Sequence, residues 1–209
     1  AITGGSDHGV TGQTESASYL EFVSTQGDWL ASPEALRQKA YWETALSGQL
    51  PVLQFAADLS GSAPALGEQS HFSWHLAPSL VQDLHALAGR QAATLYSVLL
   101  CAYQILLSFY TGQDEIIVGS PMAGRVDERW NGTVGDFVNP IALRVTIDRN
   151  ATVREVLKAV RNVALRGMKN QEYPFSHLVE TMRGTREAGI HPIFQTMFTL
   201  QRAQEASAL

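Results

Sequence analysis

The chain has 209 residues, 45% of them hydrophobic and 17% charged, and a net charge of -5. That is enough apolar material for one domain or one large lobe, while the mild acidity and the scatter of Lys and Arg exclude the basic stripe of a nucleic-acid surface. No apolar run reaches the roughly 18 residues of a membrane span.

In chain order, residues 1–18 are polar and rich in Gly, Ser and Thr, with no signal-peptide pattern, and read as a flexible leader or linker remnant. Structure is expected to begin near Tyr19. Ser32 followed by Pro33 predicts a helix start, and the helix runs to Leu46 with Gly48 able to end it. Residues 58–69 carry Gly, Ser and Pro and read as a loop. Ser70 to Leu76 alternates in strand fashion, with Phe72, Trp74 and Leu76 on one side. Leu80, Leu84, Leu87 and Ala88 then mark one face of a helix. Thr94 can cap a second helix, apolar almost all round and broken only by Tyr96, Ser97, Gln104 and Ser108, which should lie against a sheet and other helices.

Ile116 to Gly119 is a short β-branched strand, and Phe137 to Ile147 alternates again. Pro140 cannot donate to a ladder, so that strand is expected at an edge or with a bulge. Thr152 to Glu155 is a capping-box pattern opening a helix with Val153, Val156, Leu157, Val160 and Ala164 at helical spacing. A short helix is expected from Pro174-Phe175, and a closing strand from Phe194 to Leu200. Helices interleaved with strands make an α/β lobe.

The common catalytic constellations are missing: no GxSxG, Walker loop, HExxH or GxGxxG occurs. His71 and His75 stand four apart, but on the strand reading they share a solvated face and no third ligand is suggested, so no metal site is assigned. Cys101 is the one cysteine, placed on the apolar helix as a buried inert thiol. Asn131-Gly132-Thr133 fits a glycosylation sequon and reads as a turn.

Several segments match short sequence patterns. Gly119 to Arg125 (GSPMAGR) is similar to the pattern GxPxxGR, and Val134 to Pro140 followed by Leu143-Arg144 is similar to GxFVNxxxLR. Asn170 to Phe175 (NQEYPF) resembles HQDxPFE, with Asn170 for His, Glu172 for Asp and Ser176 for Glu. His191 to Phe198 is similar to RxPLFQVMF. Tyr19-Leu20-Glu21-Phe22 resembles the start of YxDFxxW, with Thr25 where Trp is usual, and Tyr41-Trp42 with Leu50 to Leu53 fits YW…LPVL.

Together these segments resemble the condensation domains of bacterial nonribosomal peptide synthetases, a resemblance that covers residues 19–202 and leaves 203–209 as a tail. It implies one lobe of a chloramphenicol acetyltransferase-like two-lobed α/β fold, a mixed sheet with flanking helices, whose substrate tunnel lies between the lobes. The family's hallmark HHxxxDG belongs to the other, N-terminal lobe, and it is not found in these residues. Ser6-Asp7-His8-Gly9 has the wrong order and spacing for it. The chain is therefore expected to be truncated at the lobe boundary, without a catalytic residue of its own. The implied reaction is amide formation between thioesters presented on the phosphopantetheine of donor and acceptor carrier proteins, with no bound cofactor. The implied partners are the N-terminal lobe, the carriers and neighbouring synthetase domains, in a bacterial cytoplasm, without nucleic acid or membrane.

Tunnel or lobe-interface candidates are Arg125, Asn139, Ser120, Gln171 and Tyr173. The resemblance implies that Arg125 pairs across the lobes with the HHxxxDG aspartate, the other reading being a solvated loop arginine. Asn139 either presents its amide to the tunnel or holds a turn; Gln171 and Tyr173 shape the chain entering the helix after Pro174. Pro140, where Thr is commoner, resembles domains of mixed polyketide–peptide assembly lines. Two other readings share the fold: a lobe that docks carriers without chemistry, and a lobe of a cyclisation or epimerisation domain.

Overall fold

The computed structural model describes residues 17–55, 70–181 and 191–201. The leader up to residue 16, the loop 58–69 and the tail lie outside the described residues.

Side-chain caps set most helix starts. α1 (Tyr19–Trp29) opens where the Ser18 hydroxyl accepts from the Glu21 amide. α2 (Pro33–Ala45) does the same with Ser32 and Ala35, and Pro33 supplies the first turn. α3 (Pro78–Arg90) has a proline start without a side-chain cap. α4 (Leu95–Thr111) is capped by Thr94, and α5 (Val153–Lys169) by a complete capping box between Thr152 and Glu155. Each such cap contributes about 1 kcal/mol by supplying a partner to a helix-end amide. α6 (Phe175–Thr181) is the short helix after Pro174.

The sheet among the described residues has β1 (Glu115–Met122) antiparallel to β2 (Asn139–Thr146), with Val118 opposite Leu143. Pro121 faces Pro140, so neither residue can donate there and the ladder runs out at that end. The other edge of β1 meets residues 196–198 at one parallel bridge: Gly119 N donates to Thr196 O at 2.9 Å and Phe198 N to Gly119 O at 2.8 Å. Gly119 is required here, because a Cβ would stand 2.4 Å from the Phe194 ring. Arg144 ties the sheet to the segment after α2, with Nε 2.8 Å from Glu115 Oε1 and Nη1 donating to Ser47 O at 2.6 Å.

α4 and α5 cover the sheet, and α3 packs on α4. The core they enclose joins Trp42 of α2, Leu100 and Leu107 of α4, Ile116 and Val118 of β1, Ile141 and Leu143 of β2, and Leu157, Val160 and Ala164 of α5. The Gln104 side chain is fully buried on α4, where its Nε2 donates to Leu143 O at 3.0 Å and ties helix to sheet.

Four expectations are corrected. Residues 70–76 are not a strand: they have no ladder partner, and Phe72 and Trp74 are exposed, with ring centroids 5.4 Å apart. Residues 194–200 form a single bridge instead of a full strand. Val153 is exposed, since it sits in the first turn of α5, ahead of the buried Val156, Leu157 and Val160. α4 is not enclosed all round, because Leu106, Phe109 and Tyr110 face outward. No single helix among the described residues is long and apolar enough to cross a membrane; α3 and α4 together are, but they meet at a 102° bend.

Candidate functional site

Three of the motif segments converge with α1 around one cavity of about 250 Å³. Its wall takes Gly124 from the first motif, Phe137 and Asn139 from the second, and Gln171 and Glu172 from the third. α1 adds Phe22, Thr25, Gln26 and Trp29, which the spacing of three and four residues places on one helical face.

Each segment is held in place by a specific contact. Gly124 has φ +68°, and a Cβ there would stand 1.6 Å from the Phe137 carbonyl oxygen, so no other residue fits. Gly135 lets the Tyr19 ring lie against the backbone, where a Cβ would come within 2.2 Å. The Tyr19 hydroxyl donates to Asp136 O at 2.8 Å, and Thr133 Oγ1 donates to Ala17 O at 2.6 Å. Phe22, Trp130 and Phe137 form a ring cluster, with centroids 4.5 Å apart for Phe22–Phe137 and 5.4 Å for Phe22–Trp130. α1 buries none of its residues fully; these contacts hold its N-terminal half, and Trp29 and Leu30 pack its other end against the core.

Asn139 is fully engaged. Its Nδ2 donates to Gln171 O at 2.7 Å and Tyr173 O at 2.9 Å, and its Oδ1 accepts from Phe175 N at 2.8 Å. It lines the cavity, but its amide pins the third motif to β2. Gln38, fully buried on α2, grips the same segment from behind: Nε2 donates to Glu34 and Glu172, and Oε1 accepts from Tyr173 N. Asn170 accepts from Arg37 and donates to Arg166 O, while its own carbonyl accepts from the Trp42 indole at 2.8 Å.

The remaining sequence candidates lie around this cavity in different ways. Arg125 is half-buried; its guanidinium sits 3.9 Å over the Phe137 ring and donates to Trp130 O. Among the described residues no carboxylate lies within ion-pairing distance of it. Gln171 lines the cavity, and Tyr173 is buried behind it. Ser120 is not at the cavity: it is buried, accepts from the Tyr96 hydroxyl at 2.8 Å and donates to Phe198 O at 3.1 Å. Sequence reasoning missed Gln38, Trp29 and Trp130.

Three charged side chains, Asp127, Arg129 and Glu172, line the cavity. Asp127 pairs with Arg129 at 3.0 Å, and Arg129 also lies over the Trp130 ring. The Arg37 and Gln38 hydrogen bonds hold the Glu34 carboxyl down at about 2. Elsewhere, burial pushes the Cys101 thiol up to about 11, which disfavours its thiolate. Among the described residues no three His, Cys, Asp or Glu side chains are grouped to hold a metal ion.

A sequence profile described as "Condensation domain" matches residues 7–208. Surfactin synthase subunit 1 of Bacillus subtilis (strain 168) is 41% identical over 169 residues, covering 81% of this chain and 5% of that protein. Gramicidin S synthase 2 of Aneurinibacillus migulanus is 36% identical over 187 residues, covering 90% of this chain and 4% of that protein. Among solved structures, the condensation domain from monacolin K polyketide synthase MokA superposes with a TM-score of 0.75 at 21% identity, covering 90% of this chain and 46% of that one. The chain thus spans a small fraction of the two synthases and under half of the solved domain.

Proposed function

The chain belongs to the condensation-domain family of nonribosomal peptide synthetases, and from that premise we propose that it is the C-terminal lobe of such a domain and supplies one wall of the amide-forming site. The observation that carries this is the convergence of three motif segments and α1 on one cavity. In this reading an amine on an acceptor carrier attacks a thioester on a donor carrier, both delivered on phosphopantetheine arms in the bacterial cytoplasm. This lobe positions the reactants; proton handling falls to the histidine of an HHxxxDG lobe, a motif these 209 residues do not contain. The lobe alone is inactive.

Arg125 is the lobe-interface residue of the proposal. Phe137 and the Trp130 carbonyl hold its guanidinium in place, ready for the HHxxxDG aspartate of the facing lobe. The test is a double-mutant cycle in the complete domain. Removing one partner of a buried pair costs about 3–5 kcal/mol, so Arg125→Ala should lower both stability and condensation rate. Arg125→Lys should recover only part, since it lacks the planar fork. Losing both partners should cost far less than the two single losses added together. Simple additivity would refute the cross-lobe pair.

A further inference from the structure

α4 carries no charged residue and is apolar on two opposite sides. The buried side mixes Leu100, Cys101 and Leu107 with Ser97, Gln104 and Ser108. On the other side Leu95, Leu99, Ala102, Leu106 and Phe109 follow at steps of four, three, four and three. Leu95 and Leu99 are half-buried, whereas Leu106 is 49% and Phe109 80% exposed, with Tyr110 beside them at 62%. The helix thus encloses an amide and two hydroxyls while it turns leucine and phenylalanine outward, the reverse of a helix whose outer side meets water. Its outer spacing is that of a seam into which another helix packs knobs into holes. At the end of the seam Ile105 and Phe109 share a groove with Val153 and Val156 of α5. Asp148 and Arg149 also line that groove, and Arg149 is held by Asp114 and by Gly112 O, each at 2.6 Å.

Area and chain length decide what fits. With about 200 Å² per ring, the exposed parts of Phe109, Tyr110 and Leu106 amount to on the order of 400 Å², half of the roughly 800 Å² per partner of a stable dimer. A face of that size suits an occupant tethered nearby, which avoids most of the cost of association. The solved condensation domain that superposes on this chain has more than half of its length elsewhere, since 46% of it is covered. The segments of these 209 residues outside the described ones carry no apolar stripe of this spacing. We propose that the outer face of α4 is an internal docking surface of the complete domain, covered by an apolar helix of the same polypeptide outside these 209 residues. That helix needs about four turns to follow the seam from Leu95 to Phe109. The inference rests on the proposed reading of the chain as one lobe of a larger domain.

Hydroxyl-radical footprinting read by mass spectrometry measures the exposure of Leu106, Phe109 and Tyr110 without altering them. It is run on the 209-residue chain, on the complete domain, and on that domain with its neighbouring synthetase domains, each at several concentrations. Oxidation of the three residues should be at least fivefold slower in the complete domain than in the chain alone, with no further change when neighbours are added or concentration rises. In the complete domain, Phe109→p-benzoylphenylalanine should cross-link on irradiation to one stretch of the same polypeptide outside these 209 residues. Equal oxidation in the chain and in the complete domain would overturn the proposal. Protection that needs the neighbouring domains, or that grows with concentration, would also overturn it by assigning the face to a neighbour or to a second copy. A cross-link within these 209 residues would do the same. Far-UV circular dichroism checks that the cross-linking variant folds; if it does not, the footprint of the parent protein decides alone. Condensation is not measured, so a domain that protects this face yet forms no amide would refute the proposed function and leave the docking surface standing.

Discussion

Replacing Asn139 should release the third motif from the sheet. Its side chain makes three hydrogen bonds to the backbone of residues 171–175, at 2.7, 2.9 and 2.8 Å. A typical bond of this kind contributes about 1 kcal/mol net, and more where the abandoned partner stays buried. Asn139→Ala should therefore cost about 3 kcal/mol. Asn139→Asp should be no better, because it keeps the acceptor for Phe175 N but turns a carboxylate oxygen toward two carbonyls. Urea unfolding should show the midpoint falling with the slope unchanged. Hydrogen exchange should show the Phe175 amide losing protection before the β1–β2 ladder does. A loss under about 0.5 kcal/mol, or an Asp variant equal to the parent, would refute the reasoning that these bonds hold the segment.

Other expectations follow from single contacts. Gly124→Ala should lower the melting temperature sharply, because the left-handed backbone and the Phe137 carbonyl both exclude a Cβ; an unchanged melting temperature would contradict the clash. The Glu34 carboxyl should titrate by NMR near 2 instead of its ordinary 4.5. A lowered folded pKa means that its small contribution is present above about 4.5 and fades as pH falls toward 2; a midpoint at 4.5 would deny the Arg37 and Gln38 contacts. Cys101 should resist a thiol reagent at pH 8 in the native chain and react at once in denaturant, since it is buried with a raised pKa; rapid native labelling would contradict its burial.

Helix starts were legible because caps are local: Ser32, Thr94 and Thr152 each needed only residues within one turn. The same signal was available for α1, since Ser18 to Glu21 has the Ser-x-x-Glu pattern. Residues 70–76 show the limit of periodicity. Alternation records which side chains share a face, but a strand also needs a neighbour to pair with, and the described residues offer none. The motifs were readable one by one, whereas their meeting around a cavity depends on contacts spanning more than a hundred residues, such as Tyr19 to Asp136 and Gln38 to Tyr173. Gln38 lies mid-helix among polar residues and looks like surface; only packing shows it enclosed.

Condensation by the chain alone and by the same chain joined to an HHxxxDG lobe tests the central claim most directly. Both are incubated with an acyl-loaded donor carrier and an aminoacyl-loaded acceptor carrier, and the intact mass of the acceptor is followed. The account expects the condensed mass from the joined form and none above the uncatalysed control from the chain alone. Product from the chain alone, or a joined form that stays active when the second histidine of HHxxxDG is replaced by Ala, would contradict it.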